Sequence, residues 1–266
     1  DMMHYTANAL LKGVSYVLSS TDITMSLAEA GGQWGREAGC ISNLIAKRVD
    51  GLIVQPCGAR PLRLERAFGF GIPVVLVGGA AHPGASVVAP DYESGVRDAI
   101  RHLLSFGHER IAFVAGPLPT LERQAAFSAY TQVMQENGVP VDTAMVLTNS
   151  TSTTGGYKCM TRLLRFDRPP TAVFAVDLEM AIGCLHALRE EGLSCPKDMS
   201  LVCIGDHPWL EALDPPLTSV SVPYYQVGVV AAQEIIRRVK ESVVDPRTVR
   251  LTTQLAERGS VARPRG

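Results

Sequence analysis

No run of Lys and Arg marks this chain as a direct ligand of nucleic acid. Its 25 Lys and Arg stand against 26 Asp and Glu, a net charge of -1 over 266 residues, whereas such surfaces show a basic excess or stripe. No segment reaches the ~18 consecutive apolar residues of a membrane helix, so no membrane partner is expected. No signal peptide is visible, which a processed or truncated chain would lack in any case. The cysteines Cys40, Cys57, Cys159, Cys184, Cys195 and Cys203 are scattered without a Cys-x-x-Cys pair. They read as reduced, mostly buried thiols of a cytoplasmic protein, not as disulfides or metal ligands. The chain has no Gly-x-x-x-x-Gly-Lys-Ser/Thr loop, no Gly-x-Gly-x-x-Gly and no Gly-x-Ser-x-Gly elbow. Its six His lack metal-ligand spacing, and Glu190-Glu191 reads as a solvated helix end. The expectation is a protein that is not an enzyme and carries no cofactor or metal.

Hydrophobic residues make up 46% and charged residues 19%, enough for a buried core and too apolar for disorder. The length suits two lobes, at ~100–200 residues per domain. The stretch from His102 to Pro117 is the most telling. Leu103, Leu104 and Phe106 end a helix at Gly107, where a residue without Cβ can turn left-handed. Ile111–Ala115 is then a wholly apolar run, as in a strand covered on both faces. Gly116-Pro117 stops it at its carboxyl end, where open α/β sheets place ligands.

The same alternation runs through the chain. Strands are expected at Ile23–Ala28, Gly51–Gln55, Val74–Val77, Ile111–Ala115, Ala144–Leu147, Thr171–Val176, Ser200–Ile204, Ser219–Val222 and Val249–Leu255. Helices are expected at Thr6–Ser20, Gly35–Lys47, Pro61–Phe68, Tyr92–Ser105, Leu121–Asn137, Thr154–Leu164, Leu178–Glu191 and Tyr225–Lys240. Pro61 suits a first helical turn, and Gly138 and Gly192 sit just past helix ends. This spacing implies an α/β protein of parallel sheets with helices on both faces, divided near the Gly- and Pro-containing stretch Ala80–Asp91.

The wording resembles the effector-binding domain of LacI/GalR-family transcriptional regulators. Arg48-Val-Asp-Gly-Leu-Ile-Val54, Gly71-Ile-Pro-Val-Val-Leu-Val77, Gly107-His-Glu-Arg-Ile111, Pro170-Thr-Ala-Val-Phe-Ala175, Asp198-Met-Ser-Leu-Val202 and Pro215-Pro-Leu-Thr-Ser-Val220 match in family order, and Arg258-Gly-Ser260 matches the usual ending. The resemblance implies two Rossmann-like lobes of the type I periplasmic-binding-protein-like fold. Three crossovers are implied, near Asp91, Val222 and Arg250, giving lobes of residues 1–90 plus 223–249 and 91–222 plus 250–266. It also implies a first strand and a helix-turn-helix DNA-binding domain upstream, neither of which this chain contains.

Polar residues just past strand ends converge on one edge of a parallel sheet. These are His4 and Thr6 after the absent strand, Arg123 after Gly116-Pro117, the run Asn149–Thr154 with Thr151 and Ser152, Asp177, Asp206, and Tyr224 after the crossover at Pro223. A guanidinium, carboxylates, hydroxyls and a ring suit a small polyol. Arg123 occupies the Arg of the family's Arg-x-x-Gly-Phe/Tyr motif, with Ala126 in place of Gly, and the family uses that Arg on its effector. Tyr224 aligns with a family aromatic, with core packing as the open alternative. The hydroxyl run also suits a helix N-cap.

Two departures bear on ligand choice. Asp177 stands where the family has Asn, and Cys203-Ile-Gly-Asp206 replaces Gly-Phe-Asp-Asp, losing one carboxylate to Gly205. Both put a standard pentose or hexose effector in question. Trp209 either caps the cleft or packs on its own lobe. The resulting expectation is a small-molecule effector domain, with a cleft between the lobes, acting as a homodimer on operator DNA through the upstream domain. The alternatives are a periplasmic sugar-binding protein of an uptake transporter and, more remotely, an α/β enzyme.

Overall fold

Short apolar runs alternating with amphipathic ones build two α/β units in the computed structural model. It describes residues 5–58, 62–79, 81–117, 120–241 and 245–265, with the side chains of Tyr5 and Trp34 left aside. The first unit comprises Asp1–Asp91, Thr120–Glu122 and Pro223–Leu251; the second comprises Tyr92–Pro119, Arg123–Val222 and Thr252–Gly266.

In the first unit, β1 (Leu52–Val54), β2 (Val74–Val77), β3 (Ala85–Pro90) and β9 (Thr248–Leu251) run parallel in the order β1-β2-β3-β9. Successive strand residues point to opposite faces. Val74 and Leu76 meet Ile41 and Ile45 of α2 (Trp34–Ala46) and Ala67 of α3 (Glu65–Gly69). Val75 and Val77 meet Leu10 and Val14 of α1 (Tyr5–Leu18) and Val227 and Ala231 of α8 (Tyr224–Lys240). Burial on both faces is why these strands read as unbroken apolar runs.

This unit departs from expectation in three places. The stretch Ala80–Asp91, read as the division between lobes, also holds a strand that was not expected, β3, buried along nearly its whole length, and the opening segment of the first unit ends at Asp91. Its small residues, its Pro and the inward Ser86 disguise a strand. Ile23–Ala28 is irregular, not a strand, and its alternating Ile23, Met25 and Leu27 are 44%, 41% and 52% exposed. Alternation alone makes no strand without a neighbour to take its backbone hydrogen bonds. The third short helix begins at Glu65, while Pro61 lies outside the described residues.

The second unit orders its sheet β10-β8-β7-β6-β4-β5. Its strands are β4 (Ile111–Ala115), β5 (Val146–Thr148), β6 (Ala172–Ala175), β7 (Ser200–Ile204), β8 (Thr218–Ser221) and β10 (Gln254–Ala256). All pairings are parallel except β10 on β8. The strand expected over Val249–Leu255 is therefore two strands in different units, so the sheet is mixed. The expected strand at Ala144–Leu147 starts instead as a 3-10 turn, Thr143–Met145, capped by the Asp142 carboxylate.

Phe113 on β4 meets Phe127 and Tyr130 of α5 (Leu121–Glu136) with ring centroids 5.4 and 5.2 Å apart. Helix α4 (Tyr92–Ser105) packs on β8 and β10. The opposite face, with Val114, Val173 and Leu201, is covered by α6 (Thr153–Leu164) and α7 (Leu178–Glu190). These two helices approach closely: a Cβ at Gly156 would lie 2.0 Å from the Met180 carbonyl oxygen, and one at Gly183 would lie 1.9 Å from that of Thr153. Gly107, Gly138 and Gly192 end α4, α5 and α7 with φ of 90°, 70° and 68°, as read from the sequence.

Candidate functional site

The order of the central strands gathers the polar residues of the second unit. Neighbouring strands β7, β6, β4 and β5 deliver Asp206, Asp177, Arg123 and Thr151 respectively at their carboxyl ends. At ~4.8 Å per strand, the four span about 15 Å. The chain leaves β4 for β5 on one side and returns to β6 on the other. That reversal is the topological switch point, where open parallel sheets bind ligands, and Arg123 and Asp177 flank it.

Arg123 sits in the first turn of α5, half-buried. Its Nη2 donates to Thr151 Oγ1 at 2.9 Å and its Nη1 to the Pro117 carbonyl at 3.0 Å. Gly116 makes room for this pair, since a Cβ there would lie 2.0 Å from Thr151 Oγ1 and 3.2 Å from Arg123 Cζ. Thr151 therefore positions the guanidinium, and the cap of α6 falls to Ser152, whose Oγ accepts from Gly155 N–H at 3.1 Å.

Asp177 caps α7, with Oδ1 accepting from Glu179 N–H at 2.8 Å. A carboxylate there is favoured by the helix dipole. Asp206 is held from behind. Its Oδ1 accepts from Ser219 Oγ at 2.8 Å and pairs with Arg258 Nη1 at 2.9 Å. Arg258 also donates to the Leu217 carbonyl at 2.9 Å, and Ser260 Oγ bridges the Leu201 carbonyl and Thr218 N–H. The terminal Arg258-Gly-Ser260 motif thus ties β7 to β8 beneath Asp206, a role the sequence reading did not assign. Burial, together with the charges of Asp177 and Asp206, pushes the Cys203 thiol far up, so it stays neutral.

Trp209 lies on a 3-10 turn, Pro208–Ala212, 39% exposed, its ring 5.0 Å from that of His207. Among the first-unit candidates, Thr6 is half-buried in the first turn of α1 and Tyr224 is half-buried at the start of α8. His4 lies outside the described residues. One polar cluster of this unit was missed. Glu37, buried on α2, accepts from Cys57 N–H at 2.7 Å just past β1, and burial plus the Glu37 carboxylate raise the Cys57 thiol to about 11. Glu37 reads in sequence as an ordinary first-turn carboxylate, so only the fold reveals it. Among the described residues no group of three His, Cys, Asp or Glu could hold a metal ion, and no helix is long and apolar enough to cross a membrane.

Comparison with known proteins agrees with this architecture. The periplasmic binding protein-like domain family matches residues 100–261. Catabolite control protein A of Priestia megaterium is 27% identical over 253 residues, covering 94% of this chain and 76% of that protein. The HTH-type transcriptional repressor PurR of Actinobacillus pleuropneumoniae is 30% identical over 222 residues, covering 82% of this chain and 66% of that protein. A LacI family transcriptional regulator from Enterococcus faecalis, solved with bound ribose, superposes with a TM-score of 0.87 at 26% identity, covering 100% of this chain and 97% of that one. Relatives of this kind are regulators and not transporter binding proteins, which removes the uptake alternative. The chain belongs to the periplasmic binding protein-like family, as the effector-binding domain of a LacI-family transcriptional regulator.

Proposed function

We propose that this domain senses a sugar or similar polar metabolite, held at the carboxyl edge of the second unit's sheet with Arg123 as its principal contact. The observation that carries this reading is the anchored guanidinium at the switch point, steadied by Thr151 and Pro117. Asp177 and Asp206 serve as acceptors for hydroxyl donors and Trp209 as an apolar flank. His4, Thr6 and Tyr224 are proposed as further contacts on the sequence reading alone. The Enterococcus faecalis regulator carries ribose, which supports a hydroxyl-rich ligand. The domain has no catalytic role. In the whole protein it acts in the cytoplasm as a homodimer, its effector altering operator binding by an upstream DNA-binding domain; the repressor names of the relatives support this.

Thermal melts with ribose, other sugars, polyols and purines test the site. A true effector at a hundred times its Kd stabilises the protein by about 2.7 kcal/mol, and Arg123→Ala abolishes that gain. A ligand that stabilises wild type and Arg123→Ala equally would place the site elsewhere. Sedimentation of the purified chain tests the dimer, and a monomer at all concentrations refutes it.

A further inference from the structure

Helix α6 carries a feature that effector binding does not use. Its outer face lines a groove of about 530 Å3 with Tyr157, Lys158, Thr161, Arg162, Arg165 and Phe166. Lys158, Arg162 and Arg165 are exposed at spacings of four and three residues, so they share one stripe. The intervening apolar residues hide this stripe from a search for basic runs. No Asp or Glu lies within the helix.

None of these three cations has an ion pair or side-chain hydrogen bond among the described residues. Elsewhere in the same unit Arg97 pairs with Glu136, Arg258 with Asp206 and Arg265 with Asp198. Glu190 on the adjoining α7 is engaged by other neighbours. It accepts from Tyr157 Oη at 2.5 Å and lies 3.4 Å from His186 Nε2. Like charges at this spacing repel, and no ion pair among the described residues neutralises any of the three. An ordinary solvated helix face mixes charge signs; this one carries a single sign beside two aromatic rings.

We propose that this groove docks an acidic segment of a partner protein, its carboxylates between Lys158, Arg162 and Arg165 and an apolar side chain against Tyr157 or Phe166. The cations span about 10 Å along the helix, the reach of about three residues of extended peptide. Charge complementarity selects the partner, and aromatic flanks favour a peptide that carries apolar groups.

The test is fluorescence anisotropy with a fluorescein-labelled peptide of three Glu-Glu-Phe-Ser repeats at low salt. The variant is Lys158→Gln/Arg162→Gln/Arg165→Gln, and the charge-matched control is Lys12→Gln/Lys47→Gln/Lys240→Gln. The expected result is a loss of affinity of about tenfold or more in the α6 variant, with the control near wild type. Equal weakening in both variants, or no binding by wild type, overturns the proposal. Random-sequence duplex DNA that binds and is displaced only by the α6 substitutions also overturns it, in favour of nucleic acid. A change in sedimentation of the α6 variant overturns it in favour of self-association. Arg162→Glu alone must weaken peptide binding while melting like wild type; if it melts lower, the peptide affinity of Lys158→Gln decides.

Discussion

Single side chains divide into those whose role follows from their neighbours in sequence and those whose partners lie far away. Arg123 belongs to the first group, because it follows a recognisable strand and turn. Glu234 belongs to the second. It is fully buried on α8, accepts from Ser86 Oγ at 2.7 Å across 148 residues, and pairs with Arg237 and Arg247 at 2.7 Å each. Burial alone would raise its pKa, yet hydrogen bonds from Arg237 and Ser86 and the charge of Arg247 hold it below the usual carboxylate range. Its stabilisation is thus present at neutral pH and lost as pH falls through that lowered value. Glu234→Gln should cost about 1–3 kcal/mol at pH 7 in urea titrations, and the deficit should shrink below about pH 4. His108 also loses stability on acidification, but because burial disfavours its charged form. It is buried between Thr171 Oγ1 and Ser200 Oγ, 2.9 Å from each. Burial, aided by His102, lowers its pKa despite a hydrogen bond to the Ala262 backbone that favours the protonated ring. The unfolded chain therefore takes up the proton first, and stability falls as pH drops below about 6.5. The difference in Tm between pH 7.5 and pH 5.5, values chosen about one unit either side of that pKa, should be smaller in His108→Gln than in wild type.

Helices and strands were legible where pattern and packing agree. Tyr92–Ser105, Val74–Val77, Ile111–Ala115 and Ser200–Ile204 form as read. Each is long and strongly patterned, or bounded by Gly or Pro. The strand β3 was hidden because Ala85, Ser86, Ala89 and Pro90 dilute the β-branched pair Val87-Val88, and Ile23–Ala28 misled because its alternation meets no neighbour. Helix pairing gives a sharper test. Gly156→Ala places a methyl against the Met180 backbone and should destabilise by about 1–3 kcal/mol. Gly39→Ala, within α2 and with nothing within 4 Å of the new methyl, should stabilise by about 0.5–1 kcal/mol. Chemical denaturation of both variants checks the pair; equal effects would mean that intrinsic propensity outweighs the α6/α7 contact.

Each of the two units has its own sheet and its own buried clusters. A cavity made in one core should therefore loosen that unit first. Leu76, 1% exposed in β2, is a suitable position, where Leu76→Ala should cost about 2–5 kcal/mol. Hydrogen exchange should then lose protection in α2, α3 and β1–β3 while β4, β6 and β7 keep theirs. Uniform loss across both sheets would show instead that the chain opens as one cooperative body.

Periodicity and punctuation in the chain were enough for the alternating α/β architecture, for the ordered family wording, and for the polar positions after each strand. Those features are local: they depend on which residues face a sheet and where Gly or Pro ends it. Folding settled what no local pattern contains. It set Arg123 against Thr151, drew Arg258 from the last residues of the chain under Asp206, and divided Thr248–Ala256 between two sheets. These outcomes depend on contacts between residues far apart in sequence, where buried polar groups must find partners wherever the packed backbone places them.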